Sequence, residues 1–153
     1  MRSLVTPVIR TAVAADLSAL LKNDAYAETH PERQAFLAVA VERGEVLAAI
    51  AGQQPVGHIL LNYGFFGRGF VPLVLVAPSV RRQGIARLLF AAAESQCRTE
   101  SLFTSTNESN SAARRLFERV GFQPSGRIEN LDPGDPELVY CKRCAARVAS
   151  AGD

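Results

Sequence analysis

The middle of the chain places the strongest constraint on the fold, because a strand-like run changes there into a helical one. FVPLVLVAP, at residues 70–78, is nearly continuous in Val and Leu, which is typical of a strand covered on both faces. From Gly84 onwards the apolar residues recur with helical spacing. They form one predicted stripe of Ile85, Leu88, Leu89 and Ala92. A strand that leads into a helix in this way predicts a mixed α/β fold.

Hydrophobic periodicity predicts the other elements on both sides of this junction. The predicted strands are residues 4–10, the two arms of a hairpin that turns at 52–55, and residues 101–107, 122–128 and 137–144. The predicted helices are residues 14–22, 30–43 and 110–121. Thr29 is the expected N-cap of the second of these helices, and Gly44 is its expected end.

Composition and charge exclude several classes of protein. Hydrophobic residues make up 48% of the 153 residues and charged residues 21%, which indicates a globular rather than a disordered chain. The net charge of +2 does not favour nucleic-acid binding. No apolar run reaches the roughly 18 residues that span a bilayer, and the N-terminus lacks the apolar core of a signal peptide. We therefore expect a cytoplasmic protein without nucleic-acid or membrane partners, with one domain at 1–145 and a flexible tail at 146–153.

The three cysteines, Cys97, Cys141 and Cys144, indicate neither a disulfide framework nor a metal site. Cys141 and Cys144 form a C-x-x-C pair, but a zinc site needs two further ligands. His30 and His58 lie far upstream and belong to no ligand-spaced pair. We expect buried or half-buried thiols and no metal.

Two arginines and a glycine stand where the apolar strand turns into the helix. A helix N-terminus presents unpaired N–H groups and a partial positive charge, and glycine lets a ligand approach the backbone closely. Arg81 and Arg82 add fork-shaped cationic donors beside Gly84. These features together favour an anion site, with phosphate as the best-fitting anion. The alternative is a solvated loop that ends in a turn glycine.

Two motifs resemble those of the GNAT superfamily of acyl-CoA N-acyltransferases. Arg81-x-x-Gly84-x-Ala86 is similar to the family signature Q/R-x-x-G-x-G/A. NSAARRLFERVGF, at residues 110–122, is similar to the family helix N-x-x-A-x-x-L-Y-x-x-x-G-F. The order of elements agrees over nearly the whole chain. The resemblance implies a mixed, largely antiparallel central sheet of six to seven strands flanked by about four helices.

The same resemblance implies acetyl-CoA as co-substrate and an acetyl transfer to an amine. The implied cofactor-binding residues are Val74, Leu75 and Val76 for the pantetheine arm and the acyl carbonyl, Arg81, Arg82, Gln83, Gly84, Ile85, Ala86 and Arg87 for the pyrophosphate, and Asn110 and Phe117 in the second motif. The acceptor is expected to be a small-molecule amine or a peptide amine. The sequence leaves open whether the protein forms an oligomer.

The implied reaction needs a base and an acid. A lysine-type amine has a pKa of about 10.4, so it must lose a proton before it attacks the thioester. Glu108 is the candidate base; alternatively its charge only favours the N-terminus of the following helix. The family often protonates the departing thiolate with a Tyr, but this chain has Phe117 at that position. Tyr140 or Tyr63 is the candidate substitute; the alternative for each is a packed aromatic side chain.

Four acidic residues lie close together near the C-terminus, in a loop that overlooks the acceptor pocket in the family. They are Glu129, Asp132, Asp135 and Glu137. They indicate either a cationic amine acceptor or an ordinary solvated turn. The unusual Phe117 also leaves a second function open, that of a non-catalytic acyl-CoA-binding module.

Overall fold

The computed structural model describes residues 6–144, and its elements follow the predicted order. The strands are β1 Val8–Thr11, β2 Val46–Ala51, β3 Gln54–Phe65, β4 Arg68–Val76, β5 Ser101–Asn107, β6 Gln123–Ile128 and β7 Glu137–Arg143. The helices are α1 Leu17–Lys22, α2 Ala25–Glu28, α3 Pro31–Glu42, α4 Ile85–Gln96 and α5 Ser111–Arg119. Two 3₁₀ turns occupy Ala14–Asp16 and Pro78–Val80. Within residues 6–144, no helix combines the length and the apolar composition that a bilayer span requires.

The strands form a seven-stranded sheet in the order β1-β2-β3-β4-β5-β7-β6. The pairs β1–β2, β2–β3, β5–β7 and β6–β7 are antiparallel, and the pair β4–β5 is parallel. This arrangement confirms the predicted mixed, largely antiparallel sheet. The helices number five rather than about four among the described residues, because the polar run KNDAYAE contains α2.

The N-terminal half corrects three predicted boundaries. The first strand begins at Val8, and the part of its predicted range before residue 6 lies outside the described residues. The hairpin turns at residues 52–53, so Gln54 already belongs to β3. His30 rather than Thr29 precedes α3, because Thr29 is needed as the C-terminal cap of α2. The missed helix α2 begins after Asp24, whose side chain accepts a hydrogen bond from the Ala27 N–H.

The apolar stripe of α4 is rotated from the predicted one. Leu88 is 38% exposed and Ala92 is half-buried. The buried residues of this helix are Ile85, Leu89, Phe90 and Ala93. The predicted and observed stripes share Ile85 and Leu89, but the buried side extends to Phe90 and Ala93 rather than to Leu88 and Ala92. Helix α5 buries Phe117.

The chain folds into two compact units. Of the described residues, the first unit contains residues 6–61 together with Leu73–Ala93. Its core cluster consists of Ala12, Leu20, Leu37, Ala40, Val41, Val46, Ala48 and Leu60. Of the described residues, the second unit contains Asn62–Pro72 together with residues 94–144. The single domain at 1–145 stays a prediction, and the predicted tail at 146–153 lies outside the described residues.

Strand β4 is less covered than its apolar sequence predicts. Its ladder with β5 pairs Gly69, Phe70 and Val71 with Leu102, Phe103 and Thr104. Val71 is buried, but each residue from Pro72 to Val76 is only half-buried. The expectation of a strand covered on both faces therefore fails for its C-terminal half. Apolar side chains that remain half-exposed on a strand interior are a common sign of a ligand surface.

His58 is a fully buried side chain on β3, in the first unit. Neither ring nitrogen has a hydrogen-bond partner among the described residues. Burial lowers the pKa of His58 from 6.5 to about 4; Asp24 acts in the opposite direction and Arg33 in the same direction. The folded protein therefore holds His58 neutral, whereas the unfolded chain binds a proton below its ordinary pKa.

We predict that His58 makes the fold sensitive to acid. Because the folded-state pKa lies below the unfolded value, the stability contribution is complete above about pH 7 and is lost as the pH falls from 6.5 to about 4. His58→Leu should retain about 3 kcal/mol more of its unfolding free energy than the wild type over this range. Urea unfolding at several pH values measures the difference, and parallel pH profiles for the two proteins would contradict it.

Candidate functional site

The junction between β4 and α4 begins with a short tethered turn in the first unit. The Ala77 N–H donates to the carbonyl of Val56 on β3 at 2.8 Å, which holds the end of β4 against its neighbour. Pro78 then opens a 3₁₀ turn, and the Val80 N–H donates to the Ala77 carbonyl at 3.0 Å. Proline suits this first position because its φ is preset and it has no N–H to satisfy. The turn ends at Arg81, whose backbone is extended.

The backbone alternates in handedness immediately after this turn. Arg82 has a φ of 66° and Gly84 a φ of 81°, whereas Gln83 between them is not in the positive-φ region. Alternation of this kind directs successive N–H groups to one side and forms an anion-binding concavity. For a residue with a side chain, such as Arg82, the left-handed conformation costs about 1–2 kcal/mol. Backbone strain of this kind is concentrated at ligand sites.

The first turn of α4 adds further donors to the same loop. The first helical hydrogen bond runs from the Leu88 N–H to the Gly84 carbonyl at 3.2 Å, so the preceding N–H groups have no partner within the helix. Ile85 is buried and anchors the turn, whereas residues 81–84 and Arg87 are exposed. A Cβ at Gly84 would meet no protein atom within 4 Å, so the loop faces open space. The predicted pyrophosphate residues thus form one continuous cationic loop.

Arg81 differs from its neighbours in the loop because its side chain returns to the strand. Its Nε donates to the carbonyl of Val76 at 3.2 Å. The guanidinium therefore lies at the end of β4, beside the predicted arm-binding residues. The remaining N–H groups of the guanidinium are available to an anion.

Gly57 on β3 allows a close approach beneath the predicted arm-binding residues, and it was not among the predicted site residues. A Cβ at this position would lie 3.0 Å from the Leu75 carbonyl oxygen and 3.3 Å from a methyl carbon of Ile85. A side chain here would therefore require β4 and α4 to shift away from β3. The signal for such a position in the sequence is only a glycine inside an apolar strand, as in VGHILL.

The second unit positions the second motif through a capped helix. The Asn110 side chain accepts a hydrogen bond from the Ala113 N–H at 3.1 Å, so it is the N-cap of α5. The Glu108 N–H donates to the Pro136 carbonyl at 2.8 Å, and the Glu108 carbonyl accepts from Arg114 at 3.0 Å. The Glu108 carboxylate is exposed and lies 4.0 Å from Arg127. The roles predicted for Asn110 and Glu108 remain predictions.

Phe117 and Tyr140 share one aromatic cluster in the second unit. Their rings meet edge to face at 5.3 Å, and both side chains are buried. The pKa of Arg114 is raised, and its interaction with the Tyr140 hydroxyl is the main cause. Because a guanidinium can only donate, the Tyr140 oxygen is the acceptor.

Tyr63, the other candidate acid, has two hydrogen bonds of its own. Its hydroxyl donates to the Gln96 carbonyl at 3.4 Å and accepts from the Arg98 N–H at 3.0 Å. The Arg98 guanidinium covers its ring. The Tyr63 hydroxyl therefore connects β3 to the C-terminal end of α4, which favours a structural role.

Three of the four acidic residues near the C-terminus hold their own loop in place. Asp132 accepts a hydrogen bond from Asn107 at 2.8 Å. Asp135 accepts from both the N–H and the hydroxyl of Ser109. Glu129 pairs with Arg127 at 2.8 Å. The two aspartates therefore connect the β6–β7 loop to the residues that follow β5. Glu129, directly after β6, forms its ion pair with Arg127 inside that strand. These contacts favour the structural alternative for all three.

Glu137, the fourth, is different. It is half-buried at the start of β7, and its pKa is raised mainly by desolvation, with a further contribution from repulsion by Asp132 and Asp135. A hydrogen bond with Ser105 acts in the opposite direction. In the sequence, Glu137 is visible only as one member of an acidic cluster.

The cysteines match the expectation of buried or half-buried thiols. Cys97 and Cys144 are buried, Cys141 is half-buried, and all three are free thiols. Burial, reinforced by the neighbouring Cys97, raises the pKa of Cys144 to about 12, so this thiol stays protonated. Within residues 6–144, no three His, Cys, Asp or Glu side chains are grouped in a way that suits a metal ion.

A mixed sheet with an exposed, glycine-containing loop between β4 and α4 agrees with the family that the sequence motifs resemble. Residues 13–122 match the model of the Acetyltransferase (GNAT) family. The chain belongs to this family.

Comparison with individual proteins agrees with the family match. The chain is 36% identical over 83 residues to the peptidyl-lysine N-acetyltransferase YjaB of Escherichia coli K12, a match that covers 54% of this chain and 52% of YjaB. The chain thus spans about half the length of this curated relative. A GNAT-family acetyltransferase from Bacillus cereus superposes with a TM-score of 0.83 at 29% identity, over 90% of this chain and 96% of that one. A ribosomal-protein-alanine N-acetyltransferase from Brucella melitensis gives 0.70 at 26% identity, over 89% and 99%.

Proposed function

We propose that this chain transfers an acetyl group from acetyl-CoA to an amine. Membership of the GNAT family supports the reaction class. The observation that carries the proposal is the backbone at Arg82 and Gly84, whose alternating handedness at a helix N-terminus suits a diphosphate. The N–H groups from Arg82 to Arg87 bind the pyrophosphate, and Arg81 adds charge beside it.

The half-buried end of β4 is the proposed surface for the rest of the cofactor. Val74, Leu75 and Val76 offer backbone groups to the pantetheine arm, and their half-exposed side chains offer apolar contact to it. A backbone N–H near Val76 is the proposed donor to the acyl oxygen, which gains negative charge during attack. Asn110 and Phe117 contact the cofactor in this proposal through the correspondence of their motif to the family helix.

The proposed acceptor is an amine on a protein or peptide. Two similar proteins are named for such acceptors: YjaB acts on peptidyl lysine, and the Brucella melitensis protein on the alanine of a ribosomal protein. A cationic acceptor agrees with the acidic residues near the C-terminus, because their field attracts an ammonium group. A small-molecule amine is the alternative. The cytoplasmic location stays a prediction, and the oligomeric state stays open.

Tyr140 is the proposed acid for the departing thiolate. Its ring packs against Phe117, where the family often has a Tyr, and its oxygen accepts from Arg114. The proton of the Tyr140 hydroxyl is therefore the one available for donation in this cluster. A positioned acid contributes about 10²–10⁴-fold to the rate, so this assignment has a measurable consequence.

We predict that amines will accelerate release of free thiol from acetyl-CoA by this protein. The panel should contain a lysine peptide, an alanine-terminated peptide and a small polyamine, with thiol detected by a disulfide reagent. An acetyltransferase should release thiol faster with at least one amine than with none. Tight binding of acetyl-CoA without acceleration by any of them would favour the non-catalytic acyl-CoA-binding module.

We predict that Gly84→Asp will weaken acetyl-CoA binding by about tenfold or more, because it places a carboxylate against the proposed diphosphate site. Gly52→Asp is the matched control, since Gly52 also has a positive φ, of 64°, and open space around its Cβ position. Calorimetric titration should show wild-type affinity for the control. Equal affinities for the two folded variants would exclude this loop as the cofactor site.

We predict that Tyr140→Phe will lower kcat about 100-fold or more, with acetyl-CoA affinity retained. Because the rings at 117 and 140 are in contact, adding Phe117→Tyr to this variant should restore part of the rate. Steady-state kinetics with the best amine of the panel measures both effects. A kcat for Tyr140→Phe close to that of the wild type would show that another group, or water, protonates the thiolate.

A further inference from the structure

The sheet of the second unit is more open on one face than on the other. Successive residues of a strand point to opposite faces. On β5 and β7, one face carries Leu102 and Tyr140, which are buried, and Tyr140 packs there against Phe117 of α5. The other face carries Phe103 and Cys141, which pair with each other and are only half-buried. We call the side of Phe103 and Cys141 the open face.

One end of the open face is cationic. Arg143 lies two residues after Cys141 on β7, and Arg68 lies two residues before Phe70, the β4 partner of Phe103. Both arginines therefore lie on the open face, at the end where β5 begins. Strands β4 and β7 flank β5, so the two arginine backbones are about 10 Å apart. Both side chains are exposed, and among the described residues neither forms an ion pair.

The hairpin turn beside Arg68 adds an exposed aromatic side chain. The turn between β3 and β4 consists of Phe66 and Gly67, which have positive φ values of 52° and 74°. Asn, Asp or Gly suits the first of these positions, whereas Phe is strained there. The Phe66 ring is 86% exposed and meets the ring of Phe65, which packs on Phe103. The turn does not require this ring, and exposed apolar patches are a common sign of a contact surface.

The opposite end of the open face is acidic. Glu137 lies on this face by the same alternation and pairs with Asn107 at the end of β5. The Asn107 side chain donates to Asp132 at 2.8 Å, which places the Asp132 carboxylate at the same end. Exposed apolar side chains lie beside these carboxylates, namely Ile128, which pairs with Glu137, and Leu131. Each end of the open face thus combines charge with exposed apolar side chains, and the two ends have opposite charge.

We propose that the open face of the second unit binds a second copy of this chain and forms a two-fold symmetric dimer. A two-fold axis between two such faces, perpendicular to their strands, reverses the strand direction of one copy. The arginine end of each copy then faces the acidic end of the other, and the aromatic side chains of both copies lie between these ends. The charge contact is therefore made twice in each dimer. This inference does not depend on the proposed acetyl transfer.

The size of the open face sets the expected strength of the dimer. Four strands of about seven residues cover on the order of 400 Å² of sheet. Each partner of a stable complex buries roughly 800 Å². We therefore expect a weak dimer that dissociates on dilution through the micromolar range.

Sedimentation equilibrium of the full chain, from about 1 μM to about 1 mM, tests the proposal. The wild type should change from monomer to dimer over this range, without larger species. Phe66→Ser should raise the dimer dissociation constant about tenfold or more, because it removes an apolar contact from each copy. Val39→Ser is the matched control, since Val39 is also an exposed apolar residue but lies on α3.

Charge exchange between two variants makes the test specific to this pairing. Arg68→Glu with Arg143→Glu should be monomeric, because like charges then face each other. Asp132→Lys with Glu137→Lys should be monomeric for the same reason. A mixture of the two should form a heterodimer, because the changed ends attract each other and so do the unchanged ends. Thermal unfolding of each variant verifies that it is folded.

The control for the arginine variant is Arg43→Glu with Arg115→Glu, which changes the charge equally at exposed positions outside the sheet. It should dimerise like the wild type. A wild type that is still monomeric at about 1 mM would overturn the inference. So would an arginine variant that dimerises like its control, or a mixture of folded variants without heterodimer. Species larger than a dimer would exclude the two-fold arrangement.

Discussion

The conformation of three consecutive residues after β4 is the constraint on which the proposed function depends. Arg82 and Gly84 adopt positive φ on either side of Gln83, and this alternation directs N–H groups outwards at the start of α4. The elements around the loop fix this conformation, because the Ala77 N–H is bound to β3 and Ile85 is buried. The strain at Arg82 is held by these two anchors. A loop fixed in advance in this way binds an anion without first having to order its own backbone.

Much of the fold was predictable from sequence because its elements are strongly periodic. The strand at residues 101–107 has the bounds that the pattern indicates, and the helix predicted at 110–121 is present as Ser111–Arg119. The short helix α2 was not predictable from periodicity, since four residues are too few to show a helical period. The orientation of α4 was also missed, because a stripe through Leu88 and one through Phe90 are nearly equivalent in sequence. Packing against the sheet decides between them.

The candidate site was predictable to the extent that its chemistry belongs to one local segment. The glycine and the arginines of the β4–α4 junction are close together in sequence, so an anion site can be predicted from this segment alone. Glu137 is a different case. The pKa of its carboxyl group depends on burial, on Ser105 from another strand, and on the carboxylates of Asp132 and Asp135. These two carboxylates are themselves bound by Asn107 and Ser109. A run of acidic residues in sequence does not distinguish the three exposed or loop-bound carboxylates from the half-buried Glu137.

If Tyr140 is the acid, the contact between Phe117 and Tyr140 would let a different element of the same fold supply the proton. A hydroxyl at position 117 would come from α5, whereas the hydroxyl at 140 comes from β7, and the two rings meet edge to face. Arg114 lies one turn before Phe117 on the same helix, and its interaction with the Tyr140 hydroxyl is the main cause of its raised pKa. Because arginine has no acceptor, it cannot take up the hydroxyl proton of Tyr140, and a serine or a glutamine in its place would be able to. The replacement of a tyrosine by Phe117 in α5 is therefore compatible with acid catalysis, provided that a donor-only residue at 114 keeps the proton of the neighbouring hydroxyl available.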